Sequence, residues 1–260
     1  MNTLFVSTFN YKIWEISASN MIRSYIKNNP IFDILVCYED SISHYKDNIG
    51  SDKIIPISID NDEFLRNWED ENRDIIPTSM GGLATEKNCP EAFSWQNMRA
   101  SKWFRKIVSM NIALSKFGDK YDSIIFIDAD CVFKKQFTSD LLKNAFGNES
   151  VFYHLGEYRK RRGFGVETGV VGFLNNEAGY GILKDWIDMY RDKNFLKYKK
   201  WDDGGLFRSL LEERNFSNCI DIVKDFDPIP GKKTHVVEGG IFSEYIMHKK
   251  GIHKKSGLLF

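Results

Sequence analysis

Apolar positions along this chain recur with two periods, and the two alternate. Short runs of β-branched and aromatic residues read as strands, and stretches with an apolar residue every three or four positions read as helices. The spacing predicts strands over residues 3–7, 32–38 and 53–58. A helix is predicted over 16–27, with Ile16, Met21, Ile22, Tyr25 and Ile26 on its apolar side and Asn28-Asn29-Pro30 as its stop. Residues 75–89 gather Gly, Thr, Asn and Pro and read as a loop. The clearest helix spans 101–117 and is expected to bury Trp103, Ile107, Met110, Leu114 and Phe117. It leads into Ile124-Ile-Phe-Ile127, whose unbroken apolar character marks a strand covered on both faces. Further on, a helix at about 180–190 carries Ile182, Leu183, Trp186, Ile187 and Tyr190, and another runs through Leu210 and Leu211. Strands alternating with helices predict an α/β fold with a mainly parallel sheet covered by helices. No repeat or linker interrupts the pattern, so residues 1–260 read as a single domain.

The strand over 124–127 ends abruptly in Asp128-Ala129-Asp130. An extended backbone beyond its end would point both carboxylates to the same side. Two hard oxygen ligands at the carboxyl end of a strand can hold a divalent cation against a diphosphate, which makes a nucleotide-binding enzyme the leading expectation. Four other segments carry candidate chemistry. Residues 163–173 are dense in glycine around Glu167, a pattern that suits either a bulged strand or a close approach to a ligand. Asp202-Asp203 precedes a helix and suits either capping or catalysis. His248 adds a nitrogen donor of the kind that joins carboxylates on Mn²⁺, and Lys254, six residues later, can neutralise phosphate. Tyr158-Arg-Lys-Arg-Arg162 reads as a basic loop, either merely solvated or closing over an anion.

Composition narrows the picture. Lys+Arg and Asp+Glu both number 36, so the chain has no global pull toward nucleic acid or anionic membrane, although local patches remain open to either. Cys37, Cys89, Cys131 and Cys219 show no paired spacing and are expected to be reduced thiols, not a zinc site. The start of the chain lacks a basic leader and a long apolar stretch, and no window approaches the ~20 apolar residues of a membrane span, so a cytoplasmic location is expected.

The strand ending in Asp128-Ala129-Asp130 resembles the DxD motif of GT-A nucleotide-sugar glycosyltransferases. His248-x-x-Gly251-x-x-Lys254 is similar to the C-terminal HxxGxxK of glycosyltransferase family 8. Glu167-Thr168-Gly169 occupies the place of that family's Asn-Ser-Gly, and Asp202-Asp203 the place of its Asp-Gln. The resemblance implies a GT-A, Rossmann-like fold, with residues 1–133 as a nucleotide-sugar-binding half and 134–260 as a smaller mixed acceptor half carrying the C-terminal tail. It implies a nucleoside-diphosphate sugar as donor and a Mn²⁺ or Mg²⁺ ion held by Asp128, Asp130 and His248. Lys254 and Gly251 would lie against the phosphates. Thr8, Phe9 and Tyr11 would lie by the base and ribose, as would Asp128 with Ala129. On the long helix Arg99, Lys102, Arg105 and Lys106 offer candidates for the phosphates or sugar, with Arg99 and Lys106 preferred. Glu167, Asp202 and Asp203 would face the donor sugar and the acceptor hydroxyl. Family 8 enzymes retain anomeric configuration, and no protein base is obligatory if the leaving phosphate takes the acceptor's proton; an inverting enzyme would need one, for which Asp203 or Glu238 stands available. Acceptors implied are a surface glycan or, as in some phage enzymes, a hydroxymethylated base in DNA.

Two competing readings remain at the level of sequence. Four apolar residues before Asp-x-Asp also open haloacid-dehalogenase-like phosphatases, with the first Asp as nucleophile beside Mg²⁺. That reading places the motif unusually late and leaves HxxGxxK without a task. The other is a non-catalytic carbohydrate or nucleic-acid binder using the basic segments.

Overall fold

The computed structural model describes residues 1–28, 30–40, 51–76, 100–224 and 236–249. In chain order its strands are β1 (Thr3–Phe9), β2 (Asp33–Tyr38), β3 (Ile54–Ser58), β4 (Ser123–Ile127), β5 (Cys131–Phe133), β6 (Val151–His154), β7 (Glu167–Leu174), β8 (Cys219–Asp221) and β9 (Ile246–His248). The α-helices are α1 (Tyr11–Ile13), α2 (Ser19–Lys27), α3 (Glu63–Asn72), α4 (Ala100–Phe117), α5 (Ser139–Phe146), α6 (Gly156–Arg161), α7 (Glu177–Asp188) and α8 (Asp203–Glu213). Seven strands form one sheet in the order β3-β2-β1-β4-β7-β6-β8, and β5 pairs with β9 in a separate ribbon. β1 runs parallel to β2 and β4, β2 parallel to β3, and β6 parallel to β8. Only β7, antiparallel to both β4 and β6, runs against the rest. The sheet is therefore mostly parallel and covered by helices, as expected.

Alternation along the strands divides the core in two. Leu4 and Val6 of β1 with Ile124 and Phe126 of β4 face α3, α4, α7 and α8, where Trp68, Phe104, Trp186 and Phe207 fill the space. Phe5 and Phe9 with Ile125 and Ile127 face the other side, toward α2, α5 and the β5–β9 ribbon. β4 is buried along its whole length, as its apolar run requires. The chain leaves β1 for β2 and β3 on one side and returns to β4 on the other. This makes the crevice at the carboxyl ends of β1 and β4 the topological switch point of the sheet, where ligands of open α/β folds bind.

Several boundaries differ from the sequence reading, each for a local reason. The first helical segment begins at Tyr11, where the Asn10 side chain accepts from Ile13 N, and passes through a π-helical turn at Trp14–Ala18 before α2. The wider turn breaks the 3.6 period and hides the start of the segment. On α4, Trp103, Leu114 and Phe117 are only half-buried, while Phe104, Val108, Ile112 and Ala113 are buried. The helix packs against β1 and against three other helices, so its covered arc is broader than one stripe. Residues 158–161 form part of α6 rather than a loop. Of the loop expected over 75–89, residues 77–89 lie outside the described residues. Cys37 and Cys131 are buried free thiols and Cys219 is half-buried, while Cys89 lies outside the described residues. Burial pushes the Cys37 thiol up to about 12, which keeps it inert.

Candidate active site at the ends of β1 and β4

The site is built from a turn. Beyond Ile127 the backbone does not stay extended: Cys131 N donates to Asp128 O at 3.0 Å, so Asp128-Ala129-Asp130 curls into a hydrogen-bonded turn. The expectation that strand alternation aims the two carboxylates together is thus corrected; the turn brings them together instead. Asp128 N donates to Gly169 O on β7, which pins the start of the turn, and Ala129 packs into the core below it.

β5 leaves this turn and pairs with β9 in a register that sets Cys131 opposite His248. Lys249 N donates to Asp130 O and extends the ribbon by one bond. This pairing carries His248 back to the carboxylates across more than a hundred residues of sequence. Its Nε2 lies 2.8 Å from Asp130 Oδ1 and 3.6 Å from Asp128 Oδ2. The His248 side chain is fully buried, Asp130 is 7% exposed and Asp128 29% exposed, so the cluster opens to solvent on the Asp128 side.

The donor set fits a divalent ion. Asp128, Glu167 and His248 offer ligand atoms within 4.8 Å of one another, and so do Asp130, Cys131 and His248. Carboxylate oxygens with one imidazole suit Mn²⁺ and related ions. Gly169 keeps the space between the two sides of the cluster clear. A Cβ there would collide with His248 Cε1 and stand 3.0 Å from Asp128 Oδ2. Glu167 is buried, accepts from Gly169 N at 3.2 Å and meets Arg159 Nη1 at 3.4 Å.

Lys106 on α4 stands beneath the cluster. Its Nζ lies 3.0 Å from Asp128 Oδ1 and 2.5 Å from Asp203 Oδ2, donates to Thr168 O and Oγ1 at 3.1 Å, and sits over the Phe126 ring. Burial alone would lower its pKa, but the charges of Asp128 and Asp203 outweigh burial and hold it above its ordinary value. Thr168 Oγ1 in turn donates to Asp203. Asp203 begins α8, and its neighbour Asp202 is that helix's N-cap, accepting from Gly205 N at 2.9 Å. Of the two alternatives for this pair, capping falls to Asp202, and Asp203 stands against Lys106 and Thr168. Burial first, then the charge of Asp203, raises the pKa of Asp202.

The remaining expected residues divide clearly. Thr8 is at the carboxyl end of β1, and its buried hydroxyl finds no hydrogen-bond partner among the described residues. The Phe9 ring turns into the core and packs on Trp14. Tyr11 is exposed at the start of α1, with its hydroxyl donating to Glu15 at 2.7 Å. Arg105 points away from the cluster, bonded to Glu39, Glu69 and Ser101 O, and Lys102 is exposed. Arg99, Gly251 and Lys254 lie outside the described residues, and so does the Glu238 side chain. Sequence reasoning named Thr168 and Gly169 only as part of the Glu167-Thr168-Gly169 segment, without a role of their own, and gave Cys131 none. The signal for Gly169 and Thr168 was the glycine-dense stretch around Glu167; for Cys131 it was the adjacency to Asp130.

No protein-family model matches the sequence, and no curated protein does either. Solved structures do match. The apo WbbM bifunctional glycosyltransferase gives a TM-score of 0.52 at 14% identity, over 85% of this chain and 39% of that one. The glycosyltransferase GlyE of Streptococcus pneumoniae gives 0.46 at 12%, over 85% and 45%. Mouse xyloside xylosyltransferase 1 gives 0.46 at 9%, over 85% of both chains. This chain spans less than half the length of the first two. The WbbM match shows a shared fold: the mostly parallel α/β sheet with its flanking helices.

Proposed function

We propose that this chain is a metal-dependent, retaining glycosyltransferase that moves a sugar from a nucleoside-diphosphate sugar to a hydroxyl acceptor. One observation carries the reading: the turn after β4 and the end of β9 bring Asp128, Asp130 and His248 together at the switch point of the sheet. The sheet shared with a glycosyltransferase supports it, as does the resemblance to family 8. In this reading residues 1–133 receive the donor and 134–260 the acceptor. The phosphatase alternative offers no task for His248.

Asp128, Asp130 and His248 would hold Mn²⁺ or Mg²⁺, with Glu167 within reach of the same atoms. When bound, such an ion neutralises charge on the departing diphosphate. The protein's own groups prepare that step. Lys106 balances Asp128 and Asp203, so that a buried and a half-buried carboxylate can stand against one cation. Thr8 offers a hydroxyl to the nucleoside, and Lys254 would meet the phosphates. Asp203 already accepts from Lys106 and Thr168, which suits a carboxylate that positions a sugar better than one that takes up a proton. That supports retention, in which the leaving phosphate takes the acceptor's proton and no protein base is required.

The test is a screen of sugar nucleotides with Mn²⁺ or Mg²⁺, read as nucleoside diphosphate released. One donor is expected to undergo slow metal-dependent hydrolysis, lost in Asp130→Asn and in His248→Ala. If no sugar nucleotide is bound or cleaved with metal and candidate acceptors supplied, the reading is wrong.

A further inference from the structure

Beside the cluster, on the acceptor side, the surface changes character. The chain as a whole is neutral, with 36 cations and 36 carboxylates. Residues 156–164 nevertheless carry Arg159, Lys160, Arg161 and Arg162 against the single carboxylate Glu157, and residues 197–200 carry three lysines and no acid. The fold brings these two segments together. Lys200 Nζ donates to Gly163 O at 2.7 Å, and Arg208 of α8 donates to Phe164 O at 2.7 Å. The carbonyl bond to Lys200 fixes its position without cancelling its charge, whereas Arg208 also pairs with Glu212 at 2.7 Å, so the excess positive charge of this face comes from the α6 cations and the lysines of 197–200. Between the segments lies a pocket of about 240 Å³ whose wall sets Lys199, Lys200 and Arg208 against the single carboxylate Glu212.

Two aromatic rings stand over the same face. Tyr158 and Phe164 are 38% and 44% exposed, two of the five exposed large hydrophobic side chains among the described residues. Their ring centroids are 6.4 Å apart, with Arg162 near the Tyr158 ring and Arg159 near the Phe164 ring. Exposed rings interleaved with cations form the surface that takes up single nucleic-acid strands: cations follow the backbone phosphates and flat rings stack on bases.

The surface also reaches the cluster directly. Gly165 packs on the backbone of Gly204 and Gly205 so closely that a Cβ on it would stand 2.5 Å from Gly204 C. The wall of the pocket is thus the first turn of α8, which carries Asp203. Arg159 donates to Gly165 O with Nε and Nη2 and meets Glu167 with Nη1. One side chain spans from the aromatic face to the carboxylate beside Asp128 and His248.

We propose that the face made by α6, residues 163–165 and the first turn of α8 binds a single nucleic-acid strand and presents it as acceptor. This rests on the transferase reading above and names the class of acceptor for it. A base in the strand would stack at Tyr158 and Phe164 while its neighbour extends toward Asp203.

The experiment is a fluorescence-anisotropy titration of the whole chain with a labelled DNA strand of about 16 nucleotides, the upper site size of a single strand-binding fold. It is run with EDTA and without sugar nucleotide, so that it reads binding alone. Saturable binding is expected, weakening steeply as salt rises. Tyr158→Ala combined with Phe164→Ala is expected to weaken it by on the order of tenfold or more, and Lys199→Glu with Lys200→Glu to flatten its salt dependence. Dextran sulfate serves as a polyanion without bases. If the strand does not bind, or if dextran sulfate displaces it while the ring variants bind as the wild type does, the inference is overturned. A chain that hydrolyses a sugar nucleotide but ignores the strand loses only this inference. One that binds the strand but cleaves no sugar nucleotide loses the donor reading and the acceptor role with it, and keeps only the strand-binding face.

Discussion

Arg105 and Lys106 are neighbours on α4, and each bridges two carboxylates, yet they do different work. Arg105 joins Glu39 at the end of β2 to Glu69 on α3, at 3.0 and 2.5 Å, outside the cluster of Asp128, Asp130 and His248. Lys106 joins Asp128 after β4 to Asp203 on α8, at 3.0 and 2.5 Å, beside His248 and Glu167. In both triads one cation serves two acids, so the cation's charge is favoured: Arg105 and Lys106 are both raised although burial opposes it. In the Arg105 triad, burial raises Glu39 in spite of Arg105. What separates the triads is their neighbours. Arg105 uses a planar fork to tie the carboxyl end of β2 to α3, whereas Lys106 sets a point charge beside His248 and Glu167, where a ligand can compete for its acids.

The largest effect is expected on replacing the second cation. Lys106→Met leaves Asp203 and Asp128 without a counter-charge, at about 3–5 kcal/mol of folding stability. Donor hydrolysis should fall on the order of a thousandfold, as when a preorganised electrostatic group is lost. Urea unfolding and nucleoside diphosphate release measure the two. Near-normal turnover in a folded Lys106→Met protein would make the two triads equivalent and sink the distinction. Gly169→Ala comes next. Its Cβ must push His248 away from Asp128, and a shift of about an ångström at a positioned group is worth about a hundredfold in rate. Isothermal titration with Mn²⁺ should show weakened binding alongside. Unchanged turnover and Mn²⁺ affinity would mean that the Asp128–His248 gap is not where the ion sits.

Arg105→Met should destabilise the fold by about 2–3 kcal/mol while leaving the rate of donor hydrolysis intact in the folded fraction. A rate loss as large as that of Lys106→Met would put Arg105 back among the ligand-binding groups, where helix spacing had allowed it.

That last point shows where the sequence stops being legible. The strand buried on both faces and its acidic end could be read from Ile124-Ile-Phe-Ile127 and Asp128-Ala129-Asp130, because apolar runs and abrupt charge are local signals. His248 could be matched to them only through its motif, since the β5–β9 register that delivers it is a pairing across distant segments. The preference for Lys106 over Arg105 on α4 could not come from spacing alone: consecutive helical positions face directions about 100° apart, and α4 has neighbours on several sides. The turn at 128–130 and the reversed direction of β7 were equally hidden. Each depends on particular backbone bonds, Cys131 N to Asp128 O and the antiparallel ladder to β4, and not on side-chain period. Glycine density around Glu167 marked a close approach without saying to what; the answer is His248 for Gly169 and the α8 backbone for Gly165.

The smallest expected effect tests the Arg105 triad from its acid side. Glu39 is pulled two ways: burial favours its neutral form, and Arg105 favours its charged one. Burial is the larger, so its pKa lies above the usual 4.5 in the folded chain. The sign then follows. A group with a raised folded pKa contributes its full stability below the unfolded pKa and loses that contribution as pH rises through the folded value. At neutral pH Glu39 is in the losing range. Glu39→Gln keeps an acceptor for Arg105 Nε without the buried charge, and should alter stability at pH 7 by no more than about 1 kcal/mol. Urea midpoints at pH 7.5 and pH 5 should show wild type gaining on Glu39→Gln as pH falls through the titration of Glu39. A variant several kcal/mol weaker at pH 7, or a gap that moves the other way with pH, would mean that Arg105 governs Glu39 more strongly than burial does. The brace would then be held by charge in the same way as the Lys106 triad, and their neighbours alone would be left to distinguish them.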